Sequence, residues 1–207
     1  MKDPDLVRPE RYRHIENAVE YDRHIRPENF GRRLSHWLEI RAFERALTRI
    51  RGTNVLDAPC GTGRIHRILS NRFSVVVSLD SSESMLKMHG SNTGAEEICC
   101  GDIFCLPFRD EWFDWAVVYR LFHHLQSHEI RVALLKSIGR VSRNGVLFTA
   151  WIDTPLNRRR RSRRRSLTRK ELEEAVFEAG LVVTHIDFAC WPFQPKCVVT
   201  CRKEGRR

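Results

Sequence analysis

The sequence predicts an α/β fold: a seven-stranded, mostly parallel open sheet with helices on both faces, preceded by an N-terminal helical cap. Three observations carry the prediction. Short runs of Val, Leu, Ile and Phe recur without polar alternation, as strands buried on both faces require. Segments long enough for a helix separate them, at the interval of a strand-helix repeat. The first run, Val55-Leu56-Asp57, ends in a carboxylate and then turns through Gly61 and Gly63, where bare backbone can approach a ligand that a Cβ would repel. At 207 residues and 42% hydrophobic content the chain can bury one α/β core, so a single domain over 1–207 is expected.

The elements follow in order. In the cap, 1–51, residues Glu16 to Arg51 hold Ala18, Val19, Ile25, Phe30, Leu34, Trp37, Leu38, Ile40, Phe43 and Leu47, with a break at Pro27. From Leu34 onward the spacing suits an amphipathic helix. The core, 52–153, opens with the strand ending at Asp57 and the loop Ala58-Pro59-Cys60-Gly61-Thr62-Gly63-Arg64. His66 stands where a dinucleotide fingerprint needs its third glycine, and Asp57 would repel a pyrophosphate, so NAD and FAD are disfavoured. A carboxylate beside a glycine turn suits a ligand with an amino group and no phosphate, such as S-adenosyl-L-methionine.

Ser74 to Asp80 reads as a second buried strand, and its terminal carboxylate lies 23 residues beyond Asp57, placed to accept hydrogen bonds from ribose hydroxyls. Ser81 or Ser82 can cap the next helix, which carries Met85, Leu86 and Met88 on one face. Glu96 to Cys100 forms a third strand before Gly101-Asp102, where Asp102 can accept from an adenine amino group. One aspartate at a strand end is usually a turn cap; three in succession form a pattern.

From about Thr53 to Asp153 the sequence resembles the class I S-adenosylmethionine-dependent methyltransferases. Leu56-Asp57-Ala58-Pro59-Cys60-Gly61-Thr62-Gly63 resembles the first motif, Leu79-Asp80-Ser81-Ser82 with Met85-Leu86 the second, and Gly101-Asp102 with Leu106-Pro107-Phe108 the third. Phe113 to Val118 and Phe122-His123-His124-Leu125 resemble the fourth strand and the turn after it, and Arg140 to Gly145 the helix end and glycine turn before strand five. Pro59 departs from the commoner glycine, which fixes a backbone angle and removes one N–H.

The resemblance implies a Rossmann-like sheet with an antiparallel last strand, and S-adenosyl-L-methionine as cofactor. It implies that Asp57, Gly61 and Gly63 surround the methionine part, with Ala58, Pro59 and Arg64 in the same loop. Asp80 would hold the ribose beside Ser81 and Met85, Asp102 with Ile103 the adenine, and Tyr119 with Arg120 the pocket floor. His123 and His124 lie at the rim as candidate proton acceptors for a hydroxyl acceptor; packing at a helix start explains them equally. In such families the cap covers the pocket, so Tyr12, Tyr21 and Arg23 are further candidates for contact, as is ordinary surface packing.

After Gly145, Val146 to Trp151 reads as strand five, and a basic loop spans 154–170. Over 171–207 lie the rest of the last helix, opened by the capping box Thr168-x-x-Glu171 and ended at Gly180, and a strand pair at Leu181 to Ala189 and Lys196 to Cys201. The formal net charge is +10, and residues 158–170 hold nine positive and no negative side chains, leaving +1 for the rest. Arg158, Arg159, Arg160, Arg161, Arg163, Arg164 and Arg165 follow strand five at the ligand edge and point to an anionic partner: a phosphate-bearing small molecule or lipid, an anionic membrane surface, or RNA. A solvated like-charge loop is the alternative.

Seven cysteines without a Cys-x-x-Cys pair predict reduced, buried thiols and no metal site, and with no membrane span or secretory signal in view a cytoplasmic protein, at most peripheral at a membrane. The leading functional expectation is methyl transfer to an O or N of a small or lipid-like, anionic acceptor. The alternatives are a tRNA or RNA methyltransferase, a non-catalytic partner that kept the fold, and, least favoured, a dehydrogenase.

Overall fold

The computed structural model describes residues 16, 18–20, 29–156 and 166–205. Tyr12, Tyr21, Arg23 and the run Arg158 to Arg165 lie outside the described residues. Helix α1 spans Phe30–Leu47 and is followed by β1 (Asn54–Asp57), the short α2 (His66–Ser70), β2 (Val75–Asp80), α3 (Glu83–Thr93) and β3 (Ile98–Cys100). Then come β4 (Phe113–Val118), a 3-10 turn at Phe122–His124, α4 (His128–Val141), β5 (Ser142–Trp151), α5 (Arg169–Glu178), β6 (Leu181–Phe188) and β7 (Lys196–Lys203).

The seven strands lie in the order β3-β2-β1-β4-β5-β7-β6. β1 pairs in parallel with both β2 and β4, whereas β7 runs antiparallel to β5 and β6. Chain order therefore reverses between β1 and β4, which opens a crevice at their carboxyl ends. Alternate strand residues feed two cores. Leu56, Ala116, Val118, Val146 and Phe148 pack with Leu134, Ile138 and Leu172 of α4 and α5. On the other face Val55, Trp115, Val117 and Leu147 pack with Phe43, Ala46 and Leu69 of α1 and α2.

Except for the short α2, which follows Ile65 without a side-chain cap, the helices start where the sequence supplies an acceptor for their free N–H groups. Asn29 caps α1, Ser82 caps α3, Ser127 caps α4, and Thr168 with Glu171 completes the capping box of α5. Ser82, not Ser81, is thus the cap of the helix that buries Met85 and Leu86.

Three expectations are corrected. First, Phe30, Leu34 and Trp37 are not on the buried side of α1: they are 80%, 44% and 56% exposed. The buried residues are Glu39, Ala42, Phe43, Ala46 and Leu47. At 100° per residue the first set points away from the second, so apolar residues occupy both sides of the helix. Second, no glycine turn precedes β5. It begins at Ser142 directly after α4, and Gly145 sits within it, where a Cβ would collide with the Cys201 carbonyl of β7. Third, Cys60, Cys197 and Cys201 are buried, but Cys100 and Cys105 are exposed.

Candidate functional site

The crevice between the carboxyl ends of β1 and β4 is built around Asp57. The residue ends β1 with no exposed surface, and neither carboxylate oxygen has a hydrogen-bond partner among the described residues. Burial, reinforced by the neighbouring Asp80 carboxylate, pushes its carboxyl well above the usual range. Such a group is at rest only when a cation or donor meets it.

The loop that follows is held from beneath. The Ala58 N–H donates to the Val117 carbonyl and the Cys60 N–H to that of Leu79, which leaves Pro59 half-buried on top. The Gly61 N–H donates to Asp80 Oδ2 at 2.9 Å. Gly61 has φ +54° and nothing within 4 Å of where a Cβ would stand, so its outer side is open. Gly63, at φ +88°, packs down instead: a Cβ there would lie 2.5 Å from Thr93 Cγ2 and 2.8 Å from His89 Nδ1.

Asp80 ends β2 and binds the loop to the next helix, because its Oδ1 accepts from the Ser82 N–H at 3.0 Å. Burial raises its carboxyl, and the N–H groups of Ser82, Gly61 and Ser81 oppose that shift. A carboxylate offers about four acceptor positions, so these backbone bonds leave room for a further donor. Asp102 spends Oδ1 on the Phe104 N–H at 2.9 Å, the turn-cap role that a lone aspartate usually plays. Ile103 is buried in the α4-side core, with its carbonyl accepting from Ser137.

Sequence reasoning missed the cap's contribution. Arg120, just past β4, has φ +60°, a conformation costly for a side chain with a Cβ, and its N–H donates to Thr149 Oγ1 at 2.6 Å. Its guanidinium meets Glu39 of α1 side-on, Nε to Oε1 at 2.8 Å and Nη2 to Oε2 at 2.6 Å. Lys196 Nζ, at the start of β7, donates to the same Oε2 at 3.2 Å and to Ser35 Oγ at 3.1 Å. Arg64 extends the cluster, with Nη2 2.7 Å from His36 Nδ1. The signal was in the pattern: Glu39 falls one turn before Ala42 and Phe43 on the buried side of α1. Tyr119, buried beside this cluster with its ring edge-on to Phe43, has a phenol raised first by burial and next by Glu39.

His123 stacks flat on Trp151 at 4.4 Å, and His124 lies 4.1 Å from it. Burial, then the charges of His124 and Arg120, holds the His123 imidazole down at about 3; burial and Arg120 lower His124 as well. His36 is lowered to about 4 by burial and Arg64. For all three histidines burial acts first, and the arginine charges add to it.

A buried carboxylate with both oxygens unmet, an open glycine turn beside it and a strand-end carboxylate one strand away fit an adenosyl group that bears a charged amino acid. Among the described residues no cluster of His, Cys, Asp or Glu could hold a metal ion, and no helix is long and apolar enough to cross a membrane.

Comparison with known proteins agrees. Residues 56–150 match the family model of a methyltransferase domain. The chain is 29% identical over 129 residues to the tRNA (carboxymethyluridine(34)-5-O)-methyltransferase of Arabidopsis thaliana, covering 61% of this chain and 30% of that protein. It is 35% identical over 95 residues to the malonyl-[acyl-carrier protein] O-methyltransferase of Salmonella typhimurium, 42% of this chain and 38% of that protein. The chain spans a third or less of the length of the first curated relatives it matches. The fold is shared with magnesium protoporphyrin IX methyltransferase from Synechocystis, solved with bound S-adenosylmethionine, at a TM-score of 0.73 and 16% identity over 98% of this chain and 100% of that one. With its strand order, its carboxylate-and-glycine crevice and a methyltransferase domain matched over residues 56–150, the chain carries a methyltransferase domain and has the fold of the class I S-adenosylmethionine-dependent methyltransferases.

Proposed function

We propose that this enzyme methylates a carboxylate oxygen of an anionic acceptor. The observation that carries the reading is the cationic cluster of Arg120, Lys196 and Arg64 around Glu39 at the rim, which adds to burial in lowering His36, His123 and His124. That field draws in an anion. Burial, with that field, leaves His123 a poor proton acceptor, because a general base works best with a pKa near the operating pH. A carboxylate needs no base. The acceptors named for two relatives, a carboxymethyl-bearing uridine and a malonyl group, are consistent with such chemistry.

The cofactor, when bound, supplies an activated methyl group, so the chain's work is alignment, which can contribute roughly 7–11 kcal/mol toward the barrier. In this reading Asp57 receives the cofactor's amino group, Gly61 and Gly63 leave room for it with Ala58, Pro59 and Arg64 alongside, and Asp80 with Ser81 and Met85 holds the ribose. Ile103 and the free oxygen of Asp102 border the adenine, and Tyr119 and Arg120 form the floor. Reduced thiols suit a cytoplasmic setting.

Methyl-labelled cofactor incubated with cell extract and enzyme tests the chemistry. Mild alkali releases methanol from a methyl ester but not from an ether or methylamine, so alkali-stable label would sink the carboxylate reading. A wobble uridine of tRNA is the second reading, on the strength of the tRNA-acting relative; nuclease digestion of the labelled product tells it from a small or lipid-like acceptor. Calorimetry of cofactor binding by wild type and Asp80→Ala checks the site assignment separately, and unchanged affinity would overturn it.

A further inference from the structure

α1 has a second apolar side that the fold leaves uncovered among the described residues. Phe30, Leu34 and Trp37 recur at helical spacing and fall within about 60° of one another, opposite the buried Ala42 and Ala46. Arg41 continues the stripe one turn on, its guanidinium 5.7 Å from the Trp37 ring centre. The loop between β6 and β7 is joined to this end of α1, since Ser35 Oγ donates to Gln194 Oε1 at 3.2 Å. That loop adds Trp191 and Phe193, 51% and 68% exposed.

Two facts say what this surface meets. Its rim is cationic: Arg33, Arg41 and Arg45 of α1 flank or continue the stripe, with Glu44 3.6 Å from Arg41 and Asp187 3.8 Å from Arg45 as the acids beside them. Its centre is apolar and includes the aliphatic Leu34. A polynucleotide needs cations and stacking rings at the centre of the contact, and Leu34 supplies neither. An interface of acyl chains below anionic headgroups takes Trp, Phe and Leu into its depth and arginine at its edge.

We propose that the amino-terminal half of α1, with the β6–β7 loop, docks this enzyme on an anionic lipid bilayer. Ser35, Glu39 and Lys196 tie this half of the helix to the carboxyl end of the sheet, so docking brings the crevice mouth to the membrane surface. The inference does not depend on which atom accepts the methyl group.

Sedimentation of the full chain with vesicles of equimolar phosphatidylcholine and phosphatidylglycerol, without cofactor or acceptor, tests it. The expected result is binding that weakens on pure phosphatidylcholine and falls by about tenfold or more in Leu34→Glu/Trp37→Glu, since binding strength follows buried apolar area and charge together. Heat of cofactor binding confirms that the variant is folded; Phe30→Ser/Phe193→Ser serves if it is not. Absence of binding to the anionic vesicles, or equal binding by the folded variant, overturns the proposal. So does the finding that the substitutions abolish tRNA binding or dissociate a dimer while vesicle binding is nil.

Discussion

Arg120 and Glu39 join the loop after β4 to the cap helix as a two-pronged pair, 2.8 and 2.6 Å across, with the carboxylate on the helix and the guanidinium on the loop. Burial alone would raise the Glu39 carboxyl, but the bonds from Arg120 and the charges of Lys196 and Arg64 outweigh it and hold it at about 2. The folded value lies below the ordinary 4.5, so the pair's contribution is complete above about pH 4.5 and is lost as pH falls toward 2. Glu39→Gln is expected to lower unfolding free energy at neutral pH by about 3 kcal/mol, since it strands two cations, and to flatten stability between those pH values. Urea unfolding at a series of pH values checks both.

Asp57 has the opposite sign. Its folded carboxyl is raised, so relative to the unfolded chain it favours folding at low pH and that advantage disappears as pH rises through the folded value. In the ligand-free protein at neutral pH it is a liability. Asp57→Asn is therefore expected to raise the melting temperature of the ligand-free enzyme, by about 2–4 °C per kcal/mol relieved. The same change is expected to erase the thermal shift that S-adenosylmethionine gives the wild type. A lower melting temperature without ligand would contradict this account.

Gly63→Ala places a methyl group against Thr93 and His89 on a backbone at φ +88°. Both neighbours are packed, so about 2 kcal/mol or more of stability is expected to be lost, together with cofactor affinity. Gly61→Ala meets open space at its Cβ and carries only the backbone strain, so the two variants compared in urea separate crowding from conformation.

His123, neutral down to about pH 3, does not titrate in the working range. On a carboxylate acceptor, His123→Gln is expected to lower kcat less than about tenfold and to leave the rate free of an inflection near pH 6.5, whereas loss of a true general base costs about a hundredfold or more. Initial rates from pH 6 to 9 distinguish these outcomes.

Much of the sheet was legible in the chain because its signals are local. A run such as Val75 to Asp80 is apolar along its whole length since both faces are covered, and a serine before Met85 caps a helix whatever surrounds it. Asp57, Gly61, Gly63 and Asp80 stood out for the same reason, as a strand end and its turn are neighbours in sequence. Asp102 follows the same pattern less closely: β3 stops at Cys100, as the spacing predicts, and one Asp102 oxygen caps a turn.

What the sequence alone determined was the succession of strands and helices and the carboxylate-and-glycine crevice, both written in short-range spacing. Which side of α1 faces the sheet, and that Glu39 meets Arg120 and Lys196, was decided only by tertiary packing. The partners lie 81 and 157 residues apart, and a helix with apolar residues on two sides gives periodicity no single face to choose.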